Sequence, residues 1–242
     1  MGTPLLAPPA VVGNAVLLVV DIQGGEVPDD EPSGLASSDP RSAATRPERA
    51  GHPGLQRAEG AQPAQPRSGI PQMGGRRERA GRVERLIDAC RAHGVPVVFV
   101  QEVHKPGLVD IGRELDGAEG PHCVEGWPET ELAPWVRPRP DEFLIRKRRY
   151  SAFFGTELEI VLKAYKAETV LLIGGLTDVC IHYTAVDAHQ HDYRVRVLTD
   201  CVGGSSRQAH DAALRAVEYL QRDALVTSAQ VFDWLAAGKP AA

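Results

Sequence analysis

The sequence predicts an α/β fold: three layers, α/β/α, around a mainly parallel sheet of about six strands. Three observations carry this. Strand-length apolar segments recur along the chain, with helical apolar spacing filling the intervals between them. Ala15–Val20 is apolar without alternation, as in a central parallel strand covered on both faces. The run through Val170-Leu171-Leu172-Ile173 has the same character and ends on Gly174-Gly175.

The elements follow in order. The first strand, Ala15–Val20, ends on Asp21. A helix over Arg82–His93 places Val83, Leu86, Ile87 and Cys90 on one face and stops at Gly94. Val95–Val100 is the next strand, with Pro96 tolerated at its start. A long loop runs from Glu102 to Pro140. Glu142–Ile145 is a short strand and Thr156–Tyr165 a helix. After the strand Thr169–Ile173, apolar spacing at Val179, Tyr183, Val186 and Ala188 marks a helix over Val179–Gln190. Strand Arg194–Leu198, helix Gln208–Leu220, strand Ala224–Val226 and helix Ala229–Leu235 complete the alternation.

The 242 residues read as a single domain, 1–242, interrupted by one unusual stretch. Residues 27–72 contain no aromatic side chain, and Pro28, Pro32, Pro40, Pro47, Pro53, Pro63, Pro66 and Pro71 break any regular element. Such composition buries too little surface to offset its ordering entropy, so a disordered, solvated insertion is expected. A net charge of −5 argues against a broad nucleic-acid surface. No apolar run approaches the roughly 20 residues of a membrane span, and no basic n-region precedes an apolar core at the start. Cys90, Cys123, Cys180 and Cys201 lack C-x-x-C spacing and are expected to be free thiols in the cytoplasm.

In a parallel sheet a site lies beyond the carboxyl ends of the strands. Three strand ends carry chemically able residues: Asp21, Lys147 and Cys180. Cys180 falls in the first turn of its helix, where unpaired N–H groups and the dipole favour a thiolate, so a lowered pKa is expected. A carboxylate can accept the thiol proton, a neighbouring ammonium steadies both anions, and backbone N–H groups at the helix start can hold an oxyanion. Tyr150, Phe153, Phe154 and Trp127 are candidates to wall a pocket, and Arg148 or Arg149 to hold a substrate carboxylate. Gly174-Gly175 is no dinucleotide fingerprint, because G-x-G-x-x-G is absent.

Three segments together carry a family resemblance: Val19-Val20-Asp21-Ile22-Gln23, Lys147 with Tyr150-Ser151-Ala152-Phe153-Phe154-Gly155-Thr156, and Gly174-Gly175-Leu176-Thr177-Asp178-Val179-Cys180. They resemble, in family order, the signature segments of the isochorismatase-like cysteine hydrolases, which have a Rossmann-like fold. The branch most resembled contains the N-carbamoylsarcosine, biuret and ureidoacrylate hydrolases. The resemblance implies Cys180 as nucleophile, Asp21 as acid/base and Lys147 as the cation between them. It implies a cis Gly175–Leu176 peptide, an oxyanion hole from the Leu176 and Cys180 N–H groups, and Gln23, Tyr150, Phe153, Phe154 and Thr177 as substrate contacts. The activity it implies is cleavage of a C–N bond in a small amide, ureide or carbamoyl substrate through an acyl-enzyme. No organic cofactor is implied, and a homodimer or homotetramer is. Cys180 argues against the vinyl-ether cleavage of true isochorismatases.

Two alternatives stand beside this reading. Nicotinamidases in the family bind a metal through a strand-end Asp-x-His and a second histidine. Here Glu102, His104 and His122 partly echo that pattern, with Glu replacing Asp; the other expectation for them is a polar, hydrogen-bonded loop with no metal. The second alternative is a catalytically silent binding or scaffold protein, which the Asp21, Lys147 and Cys180 set disfavours.

Overall fold

A computed structural model describes residues 10–25, 70–117 and 119–238. Most of the insertion expected over 27–72 lies outside these residues. The sheet has six parallel strands: β1 (Ala15–Val20), β2 (Val97–Glu102), β3 (Phe143–Lys147), β4 (Thr169–Gly175), β5 (Arg194–Gly203) and β6 (Leu225–Val226). Their order across the sheet is β3-β2-β1-β4-β5-β6.

Alternate residues of the central strands feed two cores. Leu17, Val19, Phe99, Leu171 and Ile173 meet α1 (Arg76–Ala92) and α5 (Ser228–Ala236) through Val83, Leu86, Val231 and Leu235. Val16, Leu18, Val20, Val100 and Leu172 face α2 (Leu158–Ala164), α3 (His182–Gln190) and α4 (Arg207–Leu220) through Leu162, Ala185 and Val217. This is the expected α/β/α sandwich, and all of β1 is buried in its middle. Local signals agree with it: Ser206 caps α4 through the Ala209 N–H, and Thr227 with Gln230 forms a capping box on α5.

Several boundaries differ from expectation. Helix α1 begins at Arg76, not Arg82, adding a polar turn that borders the site. Strand β2 continues to Glu102 and β3 to Lys147, because Gln101 and Glu102 pair in register with Arg146 and Lys147. Strand β5 runs on to Gly203, alongside Gly175, past a register shift between Leu172 and Gly174. Cys180 sits in a π-helical turn, Thr177–Ile181, that precedes α3. The Ile181 N–H reaches back to the Leu176 carbonyl at 3.1 Å, and wide turns of this kind are frequent at functional sites.

The chain moves outward from β1 through β2 to β3, then returns to lay β4 on the other side of β1. The β1/β4 boundary is therefore the topological switch point, where crossovers diverge and leave a crevice. Gly174 is obligatory there. Its φ is +115°, and a Cβ would lie 1.9 Å from the Val20 carbonyl oxygen.

Candidate active site

Asp21 leaves β1 with a left-handed φ of 49°, a conformation that aspartate tolerates better than most residues. Its Oδ1 accepts the Glu102 N–H at 2.8 Å, which fixes the carboxylate across the ends of β1 and β2. Lys147, the last residue of β3, is fully buried. Its Nζ lies 2.8 Å from Asp21 Oδ2, contacts Glu102 Oε2, and stands 3.4 Å from Cys180 Sγ. Cys180 Sγ is also 3.6 Å from Glu102 Oε2. The structure thus brings Asp21, Lys147 and Cys180 together and adds Glu102, which the sequence suggests only as a metal ligand. The Gly175–Leu176 peptide is cis. The Leu176 N–H donates to no backbone group among the described residues.

Burial dominates the protonation states. It drives the Asp21 carboxyl up to about 6, against the attraction of Lys147 and with repulsion from Glu102. Burial also raises the Cys180 thiol well above its ordinary value; Lys147 opposes this, while Asp21 and Glu102 reinforce it. This corrects the expected low thiol pKa. A helix terminus is a weak influence beside full desolvation and two nearby carboxylates. Burial likewise works against charge on Lys147 and Glu102, but their surroundings overcome it: Lys147 is held well above its usual range and Glu102 well below. The resting centre is a neutral thiol beside an ammonium ion pair, with Asp21 as the group closest to exchanging a proton.

A cavity opens above these groups, lined by Asp21, Gln23, Arg76, Tyr150, Leu176 and Cys180 among others. Gln23 also braces the site: its amide donates to the Glu102 carbonyl at 2.9 Å and the Thr130 carbonyl at 2.6 Å. Three expected substrate contacts lie outside the lining. Thr177 is buried and bonded to His210 Nδ1 at 2.9 Å. Phe153 stacks on His191 and Tyr193, filling the core beside α3, and Phe154 is 66% exposed on the surface. Aromatic area is most useful in the core, and nothing in a Phe-Phe pair marks which ring faces a ligand. Arg148 and Arg149 also miss the cavity. Arg148 pairs with Asp110 at 2.7 Å, and Arg149 donates to the Asp110 carbonyl at 2.7 Å.

Behind Glu102 lies a second buried cluster. Glu102 Oε1 is 3.4 Å from His104 Nε2 and 3.2 Å from His122 Nε2. Glu114, from a short 3₁₀ turn Gly112–Asp116, stands on the far side, 3.3 Å and 3.4 Å from the same two nitrogens. One donor atom from each of the four lies within 4.8 Å of the others. The Glu114 side chain is 5% exposed, and these two imidazoles are its ion-pair partners among the described residues. A buried carboxylate is costly without a neighbouring positive charge, which a protonated imidazole or a bound cation can supply. Both imidazoles are held towards their protonated forms by the two glutamates, against burial, His122 up to about 10. Glu114 gave no signal in the sequence, because it sits in irregular chain twelve residues beyond Glu102 with no motif around it.

The architecture defines a class: a three-layer α/β protein with a cysteine, a lysine and paired carboxylates at its switch point. Comparison with known proteins places it further. The family model described as Isochorismatase domain matches residues 61–231, and the chain belongs to that family. Among curated relatives, the maleamate amidohydrolase of Pseudomonas putida is 41% identical over 91 residues, covering 38% of this chain and 43% of that protein. Nicotinamidase 3 of Arabidopsis thaliana is 31% identical over 131 residues, covering 53% and 65%. The chain thus spans less than two thirds of the length of either. Among solved structures, a cysteine hydrolase from Pseudomonas syringae pv. phaseolicola superposes with a TM-score of 0.67 over 98% of this chain and 99% of the other, at 20% identity. The N-carbamoylsarcosine amidase of Thermoplasma acidophilum gives 0.57 over 85% and 93%, at 24% identity, a likeness of fold.

Proposed function

We propose that the protein is a cysteine-dependent amidohydrolase that cleaves the C–N bond of a small amide, ureide or carbamoyl compound through a covalent acyl-enzyme. One observation carries this reading: Cys180 Sγ and Asp21 converge on the buried Lys147 ammonium, at 3.4 Å and 2.8 Å, on the floor of a cavity at the switch point. Relatives named for the amidohydrolysis of maleamate and ureidoacrylate support the same bond type.

In this mechanism the Cys180 sulfur attacks the carbonyl carbon as its proton passes to the Asp21 carboxylate. Lys147 offsets the negative charge that this transfer moves between them. The carbonyl oxygen gains a charge that the Leu176 and Cys180 N–H groups stabilise. Collapse breaks the C–N bond. Asp21 returns its proton to the nitrogen, which leaves as ammonia or amine, and a thioester remains. Water then attacks the thioester with Asp21 again taking a proton, and the thiol is reformed as the acid departs. Burial that keeps the thiol neutral at rest suits this sequence, because the thiolate need exist only during attack. Cytoplasmic location and assembly into a homodimer or homotetramer belong to the same reading. Among the described residues no helix is long and apolar enough to cross a membrane.

Ammonia release over a panel of ureido acids, half-amides, nicotinamide and simple amides tests the proposal. Cys180→Ala and Asp21→Asn are each expected to lower kcat by at least about 10³-fold while melting cooperatively. Full hydrolysis by either variant would sink it.

A second reading rests on the chemistry of the buried cluster behind Glu102. Two carboxylates and two imidazoles form a donor set that fits a divalent zinc, iron or manganese ion. Glu102, His104, Glu114 and His122 would hold it, and it would supply Lewis-acid polarisation at the edge of the same cavity, as nicotinamidase-like enzymes require. Metal analysis of protein purified without added metal checks this: a stoichiometry near one per chain is expected, and none would remove it.

A further inference from the structure

Helix α1 begins six residues earlier than its apolar spacing announces, and the added turn brings Arg76 into the cavity wall. The Arg76 guanidinium is half-buried. It donates through one nitrogen to the Gln23 carbonyl at 2.9 Å, so it is anchored to the loop that follows Asp21. No carboxylate among the described residues pairs with it. Glu119 and Glu129, which also line the cavity, make no ion pair with it, and Glu119 lies instead 3.7 Å from His122. Burial depresses its pKa with no acid offsetting the effect. The other arginines near the site are satisfied differently: Arg148 by Asp110, and Arg79 by the carbonyls of Met73 and Gly74 while it lies across Gly203. A half-desolvated guanidinium with one neutral acceptor retains a forked set of donors for a planar anion. The cavity it faces also contains the nucleophile.

We infer that Arg76 is a specificity-determining residue that receives the carboxylate of an acidic substrate whose scissile carbonyl lies at Cys180. This rests on the amidohydrolase reading and narrows it. Gln23 couples the two ends. Its carbonyl holds Arg76 and its side chain holds the Glu102 backbone, whose N–H in turn holds Asp21. Correct seating of the anion is thereby transmitted to the acid/base over a short, rigid path.

The test compares the half-amide of a four-carbon dicarboxylic acid with its methyl ester, which has the same scissile amide and no charge. The full-length protein is expected to prefer the acid. Arg76→Gln is expected to lower the ratio of the two kcat/KM values by about 10- to 100-fold, chiefly through KM, and Arg76→Lys to restore part of it. Calorimetric binding of the four-carbon dicarboxylate to Cys180→Ala, with and without Arg76→Gln, reads the subsite without turnover. Hydrolysis of both amides with no charge preference in the unmutated protein overturns the inference and leaves the hydrolase intact. Arg76-dependent dicarboxylate binding with no amide hydrolysed sustains the subsite and overturns the hydrolase. An unchanged ratio in a folded Arg76→Gln protein also refutes it.

Discussion

Two buried ionic clusters meet at the carboxyl rim of the sheet, and Glu102 belongs to both. On one side are Asp21, Lys147 and Cys180, where a lysine ammonium is shared by two carboxylates and a thiol. On the other are His104, His122 and Glu114, where two imidazoles lie between two carboxylates with no lysine or arginine among them. The first cluster stands on strand ends and a helix start, so its geometry is set by sheet register. The second is held by loop and a single 3₁₀ turn. The difference teaches how charge is managed in a dry interior. A resident cation makes the first cluster self-sufficient. In the second, neutrality depends on protons or a bound cation, which makes it the more responsive half.

Of the changes that separate the two clusters, breaking the shared residue should have the largest effect. Glu102→Gln removes one counter-charge from Lys147 and one acceptor from both histidines. It is expected to cost about 3 kcal/mol of stability and at least about 10²-fold in kcat, read by denaturant melts and ammonia release. If only the catalytic side needs Glu102, metal content will survive the change.

An intermediate effect separates the clusters by pH. Asp21 titrates near 6, raised by burial, and must be ionised to accept the thiol proton. Activity should therefore be present above that value and fall as pH drops through it, about tenfold per unit in kcat/KM. A profile flat down to pH 5 would assign the base elsewhere. The smallest expected effect is that of Glu114→Gln, which touches only the second cluster. Metal content should drop about tenfold or more after dialysis, with kcat for metal-restored protein within about tenfold of the starting value. A larger loss in kcat at full occupancy would show that Glu114 also serves the chemistry.

Much of the first cluster was legible in the chain. Asp21 and Cys180 follow strands whose apolar runs are unmistakable, and in the double glycine before Leu176 the first residue, Gly174, admits no side chain. Lys147 was legible by its place after a short strand, although it lies in a basic run that resembles a solvated face. Glu102 was visible as a strand-end acid, but its double contact was not, since that depends on β2 lying between β1 and β3. Glu114 and Arg76 were not legible. One occupies irregular chain and the other begins a helix whose first turn is entirely polar, so neither carries the periodicity that locates a residue. The insertion over 27–72 was legible as composition only, and most of it lies outside the described residues.

By itself, the sequence determined the alternation of strands and helices, the all-apolar central strands and the identity of the residues at their carboxyl ends. Those are local properties: period, propensity and the punctuation of glycine and proline. The tertiary structure alone decided which strand ends are neighbours, that Glu102 bridges two clusters, that Arg76 faces the cavity, and that the Cys180 thiol is raised rather than lowered. Each of these depends on strand order and on burial by distant segments. Desolvation and Coulomb interactions act through space, and their strength is fixed only when the chain has closed around the charges.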